Sequence, residues 1–317
     1  MTTRRQHYVW RHYLRPWAQD EKIWCWRLGK VFNSNLMGVG QKRDFYKLEE
    51  LTDSDIELIK KVAIEKTKNQ LLREANEGWI TTFQQVFRIK KFFESLGLRN
   101  PEADKMFKEL VIELEEKLHG QIEGDAIPYL EKILSDDLTL FSNEEEYSGF
   151  CHFLATQYLR TSKIQENVSD NCEGMAPGFT KRAMGVLRHI YSTNIAWSTF
   201  ADRQVFKPCL LVNKSKVRFI AGDQPVINTH AADVGYLEAV SEVEFYYPFS
   251  PDRAVIISKK EMYGGGSVEV SSEQVDAFNA LIAKSAHEQI YAEQESDLSP
   301  YVEMLAQRIK IVEPESV

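Results

Sequence analysis

The sequence predicts an α+β fold, and three observations carry that expectation. Between residues 53 and 203 apolar side chains return every three or four positions, the period of helices. Between 206 and 258 the period shortens to two and turn residues interrupt it, the pattern of strands and hairpins. A last helical pattern then runs from 271 to 293. A helical middle section with antiparallel strands from the N-terminal segment and from residues 206–258, closed by a C-terminal helix, reads as a single α+β domain over 1–317.

Taken in order, "RRQHYVWRHYLRPW" predicts a short helical or turn element from Tyr8 to Leu14, and "KIWCWRL" predicts a strand. "GKVFNSNLMGVGQKRDFY", rich in Asn and Gly, reads as a loop. Ser54 and Glu57 resemble a capping box, followed by Ile56, Ile59, Val62 and Ala63 at helical spacing. A second helix is expected from about Gly78 to Leu96, and a third along "PEADKMFKELVIELEEKL" with its acids on a solvated face. Asn143 with Glu144 to Glu146 opens another, because acids in a first turn complement the helix dipole. The polar stretch from Ser162 to Gly178 reads as a loop, and "FTKRAMGVLRHIYSTNIAWSTFADRQ" as a long helix. "KPCLLVN" and "KVRFIAG" flank Lys214 and Ser215 as one hairpin, and "VEFYYPF" and "RAVIIS" flank "SPDR" as another. Ser271 and Gln274 make a second capping pattern, from which the last helix continues through "VDAFNALIAKSAHEQIYAEQ".

Composition narrows the function classes. With 43% hydrophobic and 27% charged residues the chain has globular proportions. No run approaches the roughly 18 consecutive apolar residues of a membrane span, and the N-terminus lacks the apolar stretch of a signal peptide. The expectation is a cytoplasmic protein without a membrane partner. Cys25, Cys151, Cys172 and Cys209 show no C-x-x-C spacing, which speaks against a disulfide framework or a zinc ribbon. The net charge of −8 is uneven: residues 1–30 hold seven basic residues against two acids, while 101–150 hold fourteen acids against four lysines. Such a surface repels polyanions at long range and leaves only a local basic pocket for a nucleic acid.

Several polar residues stand on apolar faces, where an unpaired amide costs about 2–7 kcal/mol. Gln157 shares a stripe with Phe150, Phe153 and Leu154, and Arg160 follows almost on the same face. Arg160 either bonds loop carbonyls or grips an anion in its two-pronged fork. Asp223 and Gln224 precede Pro225, which places them at a strand end or bulge with side chains outward, as a turn cap or as site residues. His7 lies among rings and arginines, and the arginines favour its neutral, base-competent form. Asn279 reads as an architectural clamp. His189 and Asn194 have mixed surroundings, and His119, His152, His230 and His287 fit no usable pattern. There is no phosphate loop, no G-x-G-x-x-G, no H-E-x-x-H and no G-x-S-x-G.

The same stretches carry a resemblance. "QHYVWRHYLRPWA", "FLATQYLRT", "FIAGDQPVI", "YYPFSPDRAVII" and "FNALIAKSAHEQIY" are similar, in this order, to the blocks of an uncharacterised prokaryotic family, domain of unknown function 4238. The likeness runs from about Gln6 to Tyr291 and implies that His7, Gln157, Arg160 and Asp223 occupy the family's motif positions. It implies no reaction. Trp10 stands where the family usually has proline, and Gly222 and Gln224 replace its usual serine and asparagine.

Two functional readings follow. In the first the protein is a phosphoester hydrolase, a nuclease for RNA or another nucleic acid and an effector of the defence or toxin type. His7 then acts as general base or acid, Arg160 stabilises phosphate charge, Asp223 orients the histidine or binds a divalent metal, and Gln157 and Arg11 hold the substrate. One carboxylate makes a poor metal site, so the residues name no metal ligand set. In the second the cluster is structural and the protein is a non-catalytic binding module or a sensor of a small anion. A protein partner or a second copy of the chain fits either reading.

Overall fold

The computed structural model describes residues 4–97, 100–172, 174, 176–232, 234 and 240–305. The helical middle section, the flanking strands and the mostly antiparallel pairing make it an α+β structure. β1 (Arg5–His7) opens it, and a single turn, α1 (Arg11–Leu14), continues as a 3-10 turn through Trp17. β2 (Lys22–Arg27) and β3 (Lys30–Asn35) form an antiparallel hairpin, and β4 (Gln41–Arg43) returns beside β1 with Gln41 opposite His7. The expected loop after residue 28 therefore contains two strands. β3 is an edge strand with Asn33 and Asn35 exposed, so pairing on one side sustains a sequence with little apolar alternation. Gly40 ties this region together: at φ +58 its carbonyl accepts from both Tyr8 and Val9, and a Cβ there would sit 2.7 Å from that of Val9.

α2 (Asp53–Ile59) is capped by Thr52 and Asp55, which exchange the two bonds of a capping box. This corrects the expected Ser54 and Glu57 pair by two residues. α3 (Gln70–Ser95) starts about two turns before Gly78, at an Asn69 cap. α4 (Pro101–Leu134) extends well past the expected third helix, through Gly120, Gly124 and Pro128. α5 (Glu144–Leu159) begins at the Asn143 cap. α6 (Ser162–Cys172) forms where a loop was expected, with residues 173 and 175 outside the described residues. Its polar side chains are tertiary ties: Lys163 donates to the carbonyl of Ser285, and Glu166 pairs with His287. α7 (Phe179–Ala201) packs along α5 and α3.

β5 (Lys207–Asn213), β6 (Ala221–Gly222), β7 (Ile227–Asn228), β8 (Phe245–Ser250), β9 (Arg253–Ser258) and β10 (Gly266–Val270) follow, then α8 (Ser272–Ser285), β11 (Gln289–Ala292) and α9 (Glu295–Leu298). One sheet has the order β10-β5-β9-β8-β7 and a second the order β3-β2-β11-β6. The β8–β9 hairpin around "SPDR" forms as expected, whereas the hairpin around Lys214 and Ser215 does not. Asn213 accepts from the Ser215 amide and hydroxyl and donates to the Val217 carbonyl, turning the chain out of the first sheet so that Ala221 and Gly222 join β11 in the second. The last helix also ends early. Its capping box at Ser271 and Gln274 is present, but "QIYA" is a strand. The apolar core lies between the sheets and the helices, around Tyr13, Trp17, Phe150, Phe153, Tyr247 and Tyr291.

Candidate functional site

Arg160 ends α5 and is buried. Its Nε donates to the Tyr46 hydroxyl (2.8 Å), one terminal nitrogen pairs with the Glu123 carboxylate of α4, and the other donates to the backbone carbonyl of His7 (2.6 Å). The fork that could grip an anion is thus spent on the protein itself. It fixes the N-terminal segment to the helical layer, an arrangement that satisfies a buried cation with a charge and two oxygens.

Around this knot lies a cleft of about 490 Å³, walled by Arg5, His7, Trp10, Arg11, His12 and Arg15 on one side and Glu116, Gly120, Glu123, Ile127 and Arg160 on the other. Arg11 and Arg15 share Glu21 at 3.3 and 3.1 Å. With Glu123 opposite Arg160, the remaining wall carries Arg5, Arg11 and Arg15, a local positive charge in a chain of net charge −8. The His7 ring has a backbone bond with Leu36, and its buried Nε2 has no hydrogen-bond partner. Burial first, then Arg11 and Arg160, lower its pKa to about 4, which leaves an uncharged imidazole at neutral pH. Burial pushes the carboxyl of Glu116, on the same cleft, up to about 7.

The five residues singled out in the sequence do not form one site. His7, Arg11 and Arg160 meet at the cleft, and Gln157 lies behind it, buried near the Glu123 carboxylate. Asp223 is elsewhere. Instead of pointing outward it is wholly buried, and its two oxygens accept from the backbone amides of His287 (2.7 Å), Glu288 (2.8 Å) and Gln289 (3.0 Å). With both oxygens occupied by backbone amides and the side chain buried, Asp223 does not line the His7 cleft. Gln224 is buried too: it accepts from Thr161 and donates to the carbonyls of Tyr158 and Val226. Asp223 turns inward to the amides of the segment that follows α8, and Gln224 to the end of α5, because buried backbone groups at both places need partners. Asn279 is the clamp it resembles, accepting from the Ile220 amide and donating to the carbonyl of Arg218.

A second polar group lies deeper in the helical layer. Glu115 and His119, one turn apart on α4, face Arg188 and His189 of α7, and all four are buried. One oxygen of Glu115 is 3.1 Å from Arg188 Nε, 3.5 Å from His119 Nε2 and 3.9 Å from His189 Nε2. The rings of His119 and His189 stand 5.2 Å apart, between Tyr46 on one side and Trp79 and Phe83 on the other. Burial and Arg188 lower the pKa of His189 to about 3, and burial and Arg160 hold His119 far below the usual imidazole range. Arg188 lies over the rings of Phe45 and Tyr46, and with Glu115 it reaches a second cleft of about 300 Å³. Sequence reasoning left this group out, although Glu115 and His119 share a helix face at i and i+4, a signal that needs the partner helix to be read.

The two clefts and the buried polar layer between them define an α+β protein with a basic anion-attracting cavity. The family described as Protein of unknown function (DUF4238) matches residues 5–296, so the chain belongs to that family. No curated protein and no solved structure matches it. Trp10, at φ −62, adds its ring to the cleft wall. Among the described residues no helix is long and apolar enough to cross a membrane.

Proposed function

We propose that the protein is a phosphoester hydrolase acting at the arginine-lined cleft, on RNA or another nucleic acid end that the cleft admits. The observation that supports this most is an uncharged imidazole, His7, which lines a cavity that also carries Arg5, Arg11 and Arg15 and whose unpartnered Nε2 lies just beneath the cavity surface, to be uncovered when substrate binds. An anionic phosphoester is drawn in by the arginines, which stabilise the charge that grows on its oxygens as a nucleophile attacks. His7 Nε2 takes the proton of the attacking water or hydroxyl while the phosphorus–oxygen ester bond breaks, and the departing oxygen is protonated from the water filling the cleft. Arg160 serves as a positioning residue, since it holds the His7 backbone rather than the substrate. An effector role of the defence or toxin kind depends wholly on this cleavage.

End-labelled RNA and DNA oligonucleotides incubated with the full chain, with and without a chelator, test the reading. Cleavage that falls by about 100-fold or more in His7→Ala supports it, a magnitude usual for loss of a general base. Arg11→Ala should raise KM more than it lowers kcat. A second reading is favoured by one observation, the complete commitment of Arg160 to protein partners. The cleft then holds a small anion with no chemistry, and saturable phosphate binding without turnover of any oligonucleotide would select it.

A further inference from the structure

We propose that Glu115, His119 and His189 form a binding site for one divalent transition-metal ion of the zinc class, with its open position turned toward the second, basic cleft. The three side chains each offer a ligand atom, and these atoms lie within 4.8 Å of one another. Two of the separations, 3.5 and 3.9 Å from the Glu115 oxygen, are already near the roughly 3.4 Å expected between ligands bonded tetrahedrally at about 2.1 Å. Two imidazoles at that geometry also carry their ring centres about 5 Å apart, and here they are 5.2 Å apart.

The unmet bonding is the second, independent observation. Both nitrogens of His119 and both of His189 are buried and lack a hydrogen-bond partner, and the facing oxygen of Glu115 has only the Arg188 ion pair. Native interiors rarely leave even one such group unsatisfied, and four imidazole nitrogens in one place is the arrangement an ion resolves. Nitrogen and carboxylate ligands suit zinc and its first-row neighbours and not calcium or magnesium, which take oxygen.

Charge decides what completes the shell. Glu115 alone opposes an ion of charge two, and Arg188 adds a positive charge 3.1 Å from its oxygen. The fourth ligand is therefore an anion or hydroxide rather than another neutral group. Glu115 and Arg188 are reached from the cleft that Lys42, Arg43, Lys47, Lys181 and Arg182 also line, a route fitted to an anion. This site is separate from the His7 cleft, and neither proposal depends on the other.

Cobalt(II) added to the chelator-treated full chain should saturate at one equivalent, give the visible bands of a four- or five-coordinate nitrogen and oxygen site, and be displaced by zinc. Zinc should raise Tm in a concentration-dependent way. His189→Leu or Glu115→Gln, judged folded by circular dichroism, should weaken binding by more than about tenfold, the scale on which metal sites respond even to indirect changes. His230→Ala, on another part of the chain, should not. Absence of saturable cobalt binding and of any zinc-induced rise in Tm in the wild-type chain overturns the proposal, whatever the variants do. Undiminished binding by a folded His189→Leu chain overturns it equally.

Discussion

The terminal nitrogen of Arg160 donates to the backbone carbonyl of His7 at 2.6 Å, across 153 positions of sequence. A guanidinium at the end of α5 thus sets where the N-terminal strand lies and which way its histidine faces. Glu123 balances the charge and Tyr46 takes the remaining fork. Removing one member leaves the other ion buried without a partner, so Arg160→Met should destabilise the protein by about 3–5 kcal/mol. Pairing it with Glu123→Gln should recover part of the loss. Urea denaturation of both single variants and the double variant measures the coupling, and strict additivity would show that the pair is not a unit.

Asp223 gives a prediction of a different kind. Asp223→Ala leaves three buried amides, those of residues 287–289, without acceptors, at a cost on the order of 3 kcal/mol. The loss should appear in the denaturation midpoint and in faster hydrogen exchange of those amides. Oligonucleotide cleavage per folded molecule should stay unchanged. A folded Asp223→Asn chain with abolished turnover would return this residue to the site.

For His7 the sign of the pH effect follows from its lowered pKa. The unfolded chain takes up this proton near pH 6.5, whereas the folded one holds it off until about 4. His7 therefore adds stability that is complete above pH 6.5 and is lost as the pH falls from there through 4. The imidazole resonances of His7 should titrate with a midpoint near 4, and activity that needs the neutral ring should persist at pH 5.5. A midpoint near 6.5 would mean that the ring is solvated and that burial does not set its charge.

Gly185 tests how firmly the deeper polar group is built. A Cβ at this helical position would lie 2.9 Å from the second oxygen of Glu115 and 3.2 Å from Leu48. Alanine ordinarily favours a helix by about 1 kcal/mol over glycine. Gly185→Ala should nevertheless lower Tm, because Arg188, 3.1 Å from the other carboxylate oxygen, holds Glu115 in place against the added methyl. A raised Tm would show that Glu115 is free to swing aside.

Much of the secondary structure was legible because it rests on local physics. The Asn143 cap, the Ser271 and Gln274 box and the β8–β9 hairpin each depend on residues a few positions apart, and each is present. The failures share a cause. "QIYA" continues the helical pattern of α8 but is a strand, because Asp223, more than sixty residues earlier, captures the amides that would extend the helix. α6 is polar enough for a loop and is held as a helix by its ties to Ser285 and His287.

The candidate residues divide the same way. Alone, the sequence determined that Gln157, Arg160, Asp223 and Asn279 needed partners, since an amide or a charge on an apolar stripe is costly wherever it finds itself. Its net charge of −8 also spoke against broad binding of a polyanion. Which partners those residues took was a tertiary decision: Arg160 joined Glu123 and His7 at the cleft, whereas Asp223 was drawn under α8 to amides with no other acceptor. The facing of His119 and His189 was likewise invisible until α4 and α7 were packed, because the side-chain chemistry of a pair exists only at the distance that folding sets.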